Sequence, residues 1–189
     1  MSLSKMDHGV GAAAVAVGLL TLGCAAAPPP PAGSVREVIM AYDDAHASGT
    51  MAFPDQTYES VVRFQLPEGE HRPIRLRYQA QSPGRLVITI YDSTVLETPG
   101  DPLIQVTHEL SEDDVSNGKD GRWVVADLGA MKPLKGVIWV GVHKLGGTPM
   151  IWASSVVSGQ AFVRNNDPGN PMGLLPTKRT PMLRLEIAP

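Results

Sequence analysis

The most constraining feature of the sequence is a nearly continuous apolar and β-branched run, Val137–Val142 (VIWVGV). A strand that is apolar at every position is typical of one whose two faces are both covered. The run lies in Gly118–Leu145, where a glycine-bounded turn is followed by a first strand, Arg122–Leu128, and a second, Gly136–Leu145. We therefore expect Val137–Val142 to be a central buried strand and the two strands to form a hairpin-like pair.

From Tyr58 onward, apolar and polar residues alternate with the period of two that is typical of half-buried strands. The 19 Gly and 17 Pro residues supply frequent turn signals, and we expect a tight turn at Pro83-Gly84 and a break at Pro99–Pro102. Long loops are expected at Ser111–Gly121 and Asn165–Thr180. The remaining expected strands are Ser60–Leu66, Ile74–Tyr78, Arg85–Tyr91, Leu103–Leu110, Met150–Val157, Gln160–Val163 and Met182–Ile187. This pattern predicts a mainly β fold, an antiparallel β-sandwich of jelly-roll type.

One segment favours a helix. Ser34–Glu37 (SVRE) has the form of a capping box, and Gly49 would end the helix. One helical face is formed by Val35, Val38, Ile39 and Tyr42. We expect a short N-terminal helix over residues 35–47. The alternative is a first strand over Val35–Tyr42, because three of its residues are β-branched.

The N-terminus has the features of an export signal. Lys5 is followed by Val10–Gly23, an uninterrupted small and apolar run that is too short to span a bilayer comfortably. Leu20–Cys24 (LTLGC) resembles the lipobox of bacterial lipoproteins, although Thr21 stands where leucine is usual. The resemblance implies cleavage before Cys24 and lipidation of that residue. It also implies an exported, membrane-anchored protein, in the outer membrane where the cell has two.

Two further features favour lipidation. Cys24 is the only cysteine, so it cannot form an internal disulfide. Ala25–Gly33 (AAAPPPPAG) predicts a stiff, extended tether, and Pro28 makes the rival cleavage site in the alanine run a poor one. The expected organisation is a signal peptide (1–23), the lipidated Cys and tether (24–33) and a β-sandwich domain (34–189). An uncleaved anchor or a plain secretory signal is the alternative.

Three motifs resemble the galactose-binding-like jelly rolls of secreted bacterial proteins. Gly121-Arg122-Trp123 leads into a strand, Gly136–Gly141 (GVIWVG) forms the next strand, and Pro181–Leu185 (PMLRL) forms the closing one. The resemblance covers about a third of the chain and implies an architecture rather than a function.

Composition and motifs exclude several classes of function. The net charge is −3 with both signs interspersed, so we expect no nucleic-acid partner. The sequence contains neither a G-x-S-x-G elbow nor a phosphate loop, and a lipidated Cys24 is no nucleophile. We therefore expect a non-enzymatic protein without catalytic residues.

One acidic loop has the composition of a cation site. Calcium prefers carboxylate and carbonyl oxygens on a flexible loop. The candidate ligands are Glu112, Asp113, Asp114 and Asp120. A solvated acidic turn is the alternative, and no other cofactor is expected.

A sugar site is the other candidate. Trp152 follows the turn signal Gly146–Pro149, where an aromatic ring at a strand end can stack on a pyranose. The nearby polar loop offers hydrogen bonds to hydroxyls through Arg164, Asn165 and Asp167. The alternatives are a Trp in the core, which we expect of Trp139, and ordinary Asn/Asp turn chemistry.

Two hypotheses follow. The first is a non-enzymatic, lipid-anchored cell-envelope protein whose β-sandwich makes structural or protein–protein contacts. The second is a carbohydrate-binding module displayed on the cell surface. The expected partners are thus a membrane, through the N-terminal lipid, and an envelope protein or a glycan. An open sheet edge or an apolar patch favours the first, and an exposed Trp beside Arg or Asn favours the second.

Overall fold

The computed structural model describes residues 37–116, 122–169 and 172–189. The predicted signal peptide, lipidated Cys24, tether and capping-box start lie outside these residues. Within them the chain forms short and long β-strands and one 3₁₀ turn, Glu112–Asp114. The strands are β1 (Val38–Ala41), β2 (Gly49–Ala52), β3 (Tyr58–Gln65), β4 (Arg72–Tyr78), β5 (Ala80–Ser93), β6 (Pro99–Leu110), β7 (Val124–Asp127), β8 (Val137–Ser154), β9 (Ala161–Asn165), β10 (Met172–Pro176), β11 (Thr180–Pro181) and β12 (Leu183–Ala188).

The strands form two antiparallel sheets. The smaller sheet has the order β1-β12-β4-β7. The larger has the order β10-β9-β3-β8-β5-β6, with β2 and β11 also paired to β8. The mainly β, antiparallel sandwich is therefore confirmed, and the jelly-roll connection remains a prediction. In the part of the chain that the structure describes, no helix is long and apolar enough to cross a membrane.

β8 runs through the middle of the larger sheet, between β3 and β5. The side chains that it directs into the core between the sheets include Ile138, Val140 and Val142. Trp139 points to the opposite face, where it is 1% exposed and packs with Val61 and Tyr91. The prediction that Val137–Val142 is a central strand buried on both faces is confirmed.

The closing strand completes the core from the smaller sheet. β12 lies between β1 and β4, and Leu183, Leu185 and Ile187 are 2%, 0% and 0% exposed. These side chains meet those of β3, β5 and β8 in one apolar cluster. The alternation that predicted a strand at Met182–Ile187 thus reports its buried face correctly.

The predicted helix over residues 35–47 is wrong. Val38–Ala41 is the edge strand β1, which pairs with β12 from Val38↔Ile187 to Ala41↔Arg184. The alternative, a first strand, is the one that the structure shows over these four residues. Side chains of the strand alternate between its faces, so Met40 packs on the core while Ile39 is 51% exposed, and the helical spacing does not describe the buried face.

Two expected turns lie inside strands. Pro83-Gly84 belongs to β5, and Gly146–Pro149 belongs to β8, so the strands expected at Gly136–Leu145 and Met150–Val157 merge into one 18-residue strand, Val137–Ser154. Gly84 pairs with Gly147 across a set of register shifts, and their φ angles are +144° and +72°. Left-handed glycines bend two neighbouring strands here instead of reversing the chain.

Three smaller expectations also need correction. The Arg122–Leu128 segment does not pair with β8, because its strand β7 joins β4 in the smaller sheet. The Asn165–Thr180 loop contains β10, which pairs with β9. Pro99–Pro102 is not a break but the irregular start of β6, where the register with β5 shifts.

Candidate functional site

The longest open sheet edge is β6. It has 12 residues, whereas the other edge strands in the described part of the chain, β1, β2, β7, β10 and β11, have two to five. Natural sheets protect their edges with short strands, prolines, charges or bulges, because an unpaired edge can accept another strand. Pro99, Pro102 and the shifted register protect only the beginning of β6. Leu103–His108 contains no Asp, Glu, Lys or Arg.

The apolar core reaches the surface along this edge. Ile104 and Leu134 are only partly buried, yet both pack against the main cluster. Leu103 is 42% exposed. An apolar surface that continues from the core in this way is a suitable contact for a further strand or a partner protein.

One cross-sheet hydrogen bond ties β6 to the opposite sheet. The Tyr78 hydroxyl lies 2.6 Å from His108 Nδ1, and the two rings meet edge to face. Burial lowers the pKa of His108, so the ring is neutral at neutral pH and its Nδ1 can accept a hydrogen bond from the Tyr78 hydroxyl. The edge is therefore held in position from inside.

A cavity opens beside the start of β6. It has a volume of about 380 Å³ and is lined by Leu103, Ile104, Ala130, Met131, Lys132 and Leu134. Its lining side chains are aliphatic, apart from the ammonium group of Lys132. A second cavity of about 320 Å³ adjoins it and shares Leu103 and Leu134.

The outer face of the larger sheet carries a buried charge network. Glu59 on β3 is 0% exposed. Its Oε2 accepts hydrogen bonds from Arg164 (2.7 Å) and Asn166 (3.1 Å), and its Oε1 accepts one from Tyr91 (2.8 Å). The Arg164 guanidinium also lies 4.7 Å from the centre of the Tyr91 ring.

These partners decide the protonation of Glu59. Burial alone would raise the pKa of this carboxyl, but the neighbouring His143, the Arg164 charge and the Tyr91 hydroxyl outweigh it and hold the pKa below its ordinary value. His143 Nδ1 is 3.9 Å from Oε1, too far for a hydrogen bond. Burial and the adjacent carboxylate raise the pKa of Tyr91 to about 12. The network is an ionised, internally paired unit and holds no free nucleophile.

A shallow groove lies next to this network on the same face. Its volume is about 420 Å³, and its lining combines aromatic, aliphatic, charged and amide groups: Arg63, Leu96, Glu97, Trp139, Gly159, Gln160, Phe162 and Leu174. Arg63 and Glu97 form an ion pair of 2.8 Å across it. The Trp139 and Phe162 rings are 5.5 Å apart.

The structure separates the predicted sugar-site residues. Arg164 joins the Glu59 network. Asn165 is 7% exposed, and its Oδ1 accepts a hydrogen bond from the Asp167 N–H, while Asp167 Oδ1 accepts one from Gly169. These two residues are therefore engaged in turn chemistry.

Trp152 lies on the distal part of β8, opposite Thr50 of β2. Its side chain is half-buried, and its Nε1 donates a 3.1 Å hydrogen bond to the Ser116 carbonyl. It shares no described contact with Arg164. Trp139 is buried as expected, and the ring of Trp123 is stacked against Arg184 at 4.1 Å.

The acidic loop is only partly described. Asp114 Oδ2 accepts hydrogen bonds from the Ser111 N–H and hydroxyl, which lower its pKa, while Glu112 and Asp113 are exposed. Asp120 lies outside the described residues. Among those that are described, no three His, Cys, Asp or Glu side chains group as metal ligands. Calcium binding remains a prediction.

Sequence reasoning missed the Glu59 network and the open edge. Glu59 lies just before the strand expected at Ser60–Leu66, and its main partner, Arg164, is 105 residues away. The uncharged stretch of β6 is visible in the sequence, but its place at the end of a sheet is not.

Comparison with known proteins identifies the fold. No known family matches the sequence, and no curated protein is similar to it. The structure is similar to a solved chain containing the cysteine protease and lectin-like domains of Cwp84, a surface-layer-associated protein of Clostridium difficile. The TM-score is 0.58 at 8% identity, over 80% of this chain and 36% of that one. This chain is thus a β-sandwich structurally like the lectin-like domain of Cwp84, and it spans about a third of the matched chain.

Proposed function

We propose that this protein is a non-enzymatic, exported and lipid-anchored envelope protein that binds an envelope partner protein through the open edge of β6. The observation that carries the proposal is the length of this edge, 12 residues, with an uncharged stretch at Leu103–His108. An edge strand binds an extended segment through main-chain hydrogen bonds, which need no particular side chains on the receiving strand.

The lipobox-like Leu20–Cys24 and the proline tether support the anchored location, in the outer membrane of a cell that has two. Labelling of the full-length protein with a palmitate analogue tests the anchor. We expect Cys24 to be labelled and Cys24→Ala to release the protein from the membrane fraction. A wild-type protein that stays unlabelled and keeps its first residues would contradict lipidation.

Photo-crosslinking in cells tests the edge. A photoreactive residue at Gln105, which is exposed on β6, should crosslink to a discrete partner protein. The same residue at Val125 on the short edge strand β7 is the matched control and should not. Thr107→Lys places a charge on the open edge and should abolish the Gln105 crosslink at unchanged melting temperature. Equal crosslinking from both positions, or none from Gln105, would refute the proposal.

Carbohydrate binding is the second candidate, favoured by the groove beside Phe162. Its aromatic, amide and charged lining is of the kind that suits a sugar ring, and the likeness to a lectin-like domain is consistent with it. A glycan array on residues 34–189 tests it. If Gln160→Ala lowers binding to an array hit and Trp152→Ala does not, the groove is the site; the reverse result would favour Trp152. No hit would leave the edge as the proposed contact.

A further inference from the structure

We propose that the partner segment adding to β6 inserts an apolar side chain into the cavity lined by Leu103, Ile104 and Met131, and places an acidic side chain beside Lys132. This inference rests on the proposed edge binding and specifies the chemistry of the partner.

The apolar anchor follows from the position of the cavity. Leu103 and Ile104 belong to β6 itself, while Ala130, Met131 and Leu134 come from the loop after β7. The cavity thus lies directly beside the open edge. A strand paired to an edge directs alternate side chains to one face, so one of them would face this opening.

The acidic neighbour follows from charge. Lys132 is exposed and lines the cavity, and within the described residues it has no carboxylate within 4.0 Å. A carboxylate on the incoming strand would give it a partner at the rim. Opposite charges across neighbouring strands stabilise the pair, whereas like charges weaken it.

A second copy of this chain fits the edge less well. The charged residues of β6 are Asp101 and Glu109. Antiparallel pairing of two β6 strands centred on Gln105 would place Asp101 of each opposite Glu109 of the other. The prolines at 99 and 102 would also leave main-chain acceptors without donors.

Synthetic strand peptides test the inference on the folded protein, with fluorescence anisotropy as the readout. The parent peptide alternates valine and threonine and carries one leucine and, two residues later on the same face of the strand, one aspartate. We expect replacement of its leucine by alanine to weaken binding roughly tenfold or more, and aspartate to lysine to weaken it several-fold. An N-methylated parent, which lacks main-chain donors, should not bind.

Variants of the protein locate the effect. Ala130→Phe should fill the cavity and remove the preference for leucine, whereas Ala41→Phe, on exposed β1, is the matched control and should not. Lys132→Ala should abolish the preference for aspartate and Lys132→Arg should retain it. Thermal melting checks that every variant is folded.

Each result is decisive. Peptides that bind equally well with leucine or alanine, and with aspartate or lysine, overturn the inference but leave edge binding intact. An N-methylated peptide that binds as well as the parent overturns edge binding as well. Self-association of the protein that Thr107→Lys removes would make a second copy the occupant and overturn the inference. Failure of every peptide also overturns it, while the Gln105 crosslink in cells judges the proposed function separately.

Discussion

Gly141 on β8 is the position where one methyl group should have the largest effect on the outer face. A Cβ added there would lie 2.0 Å from Glu59 Oε1, 2.7 Å from Glu59 Cδ and 2.8 Å from Tyr91 Cε2. Its φ is not among the positive values, so the backbone itself accepts alanine. The absence of a side chain is what lets the Glu59 carboxylate lie against the strand.

The expected cost of Gly141→Ala follows from what must move. Forcing an extra carbon into a packed site costs about 1–3 kcal/mol. Shifting Glu59 also weakens its bonds to Arg164 and Tyr91, and hydrogen bonds to a charged group contribute about 1.5–3 kcal/mol each. The lower entropy of the unfolded alanine chain returns about 0.4–1 kcal/mol. We expect a net loss of about 2–4 kcal/mol in the free energy of unfolding.

Urea denaturation of four proteins measures this: wild type, Gly141→Ala, Glu59→Ala and the double variant. Because the clash is with Glu59, Gly141→Ala should cost much less when Glu59 is already alanine. Gly173→Ala on β10 is the matched control, since nothing lies within 4 Å of its added Cβ, and it should stay within about 0.5 kcal/mol of wild type. Equal costs of Gly141→Ala in both backgrounds would refute the reasoning.

Three further predictions concern stability. Ile138→Asp places an unpaired charge in the core and should cost several kcal/mol, so a variant melting within a few degrees of wild type would contradict the central position of β8. Trp139→Ala truncates a core side chain and should lower the free energy of unfolding by about 3–5 kcal/mol. Trp152 is half-buried and makes one hydrogen bond, so Trp152→Ala should cost clearly less. Equal losses in urea titrations would show that Trp152 belongs to the core. The pKa of Glu59 is lower in the folded protein than its ordinary value of 4.5, so the ionised carboxylate stabilises the fold fully at pH values above 4.5. This stabilisation is lost as the pH falls through the lowered pKa. Glu59→Gln should therefore flatten the acid side of the stability–pH curve, and an unchanged slope would contradict the ionised state.

The strands whose burial is encoded locally were predictable. Val137–Val142 and the closing strand Met182–Ile187 each carry their pattern within six residues. In the closing strand, the period of two identifies the buried face whatever the partner. Pro83-Gly84 and Gly146-Gly147 were misinterpreted because a left-handed glycine has the same sequence signature in a turn and in a bulge. Only the pairing of Gly84 with Gly147, 63 positions later, decides between them.

The candidate sites depended even more on long-range contacts. The sequence suggests Arg164 as a sugar-binding residue, but it cannot show that the guanidinium pairs with the buried Glu59 carboxylate. Asn165 and Asp167 form the turn that the alternative interpretation described. The helix predicted at the N-terminus failed for a similar reason, since the pairing of Val38 with Ile187 competes with its local helical pattern.

The buried carboxylates on the outer faces of both sheets are paired within the protein, so the unpaired polar groups considered for binding are those of the edges. On the larger sheet, Glu59 is neutralised by Arg164. On the smaller sheet, buried Glu186 is paired with Arg75 and Arg77. Polar groups that are already paired gain little from a partner, because a new contact must replace an existing one. The main-chain donors and acceptors along the outer side of β6 have no such partner within the described residues. The unpaired main-chain groups of β6 are therefore the part of the described fold best suited to hydrogen-bond with a partner.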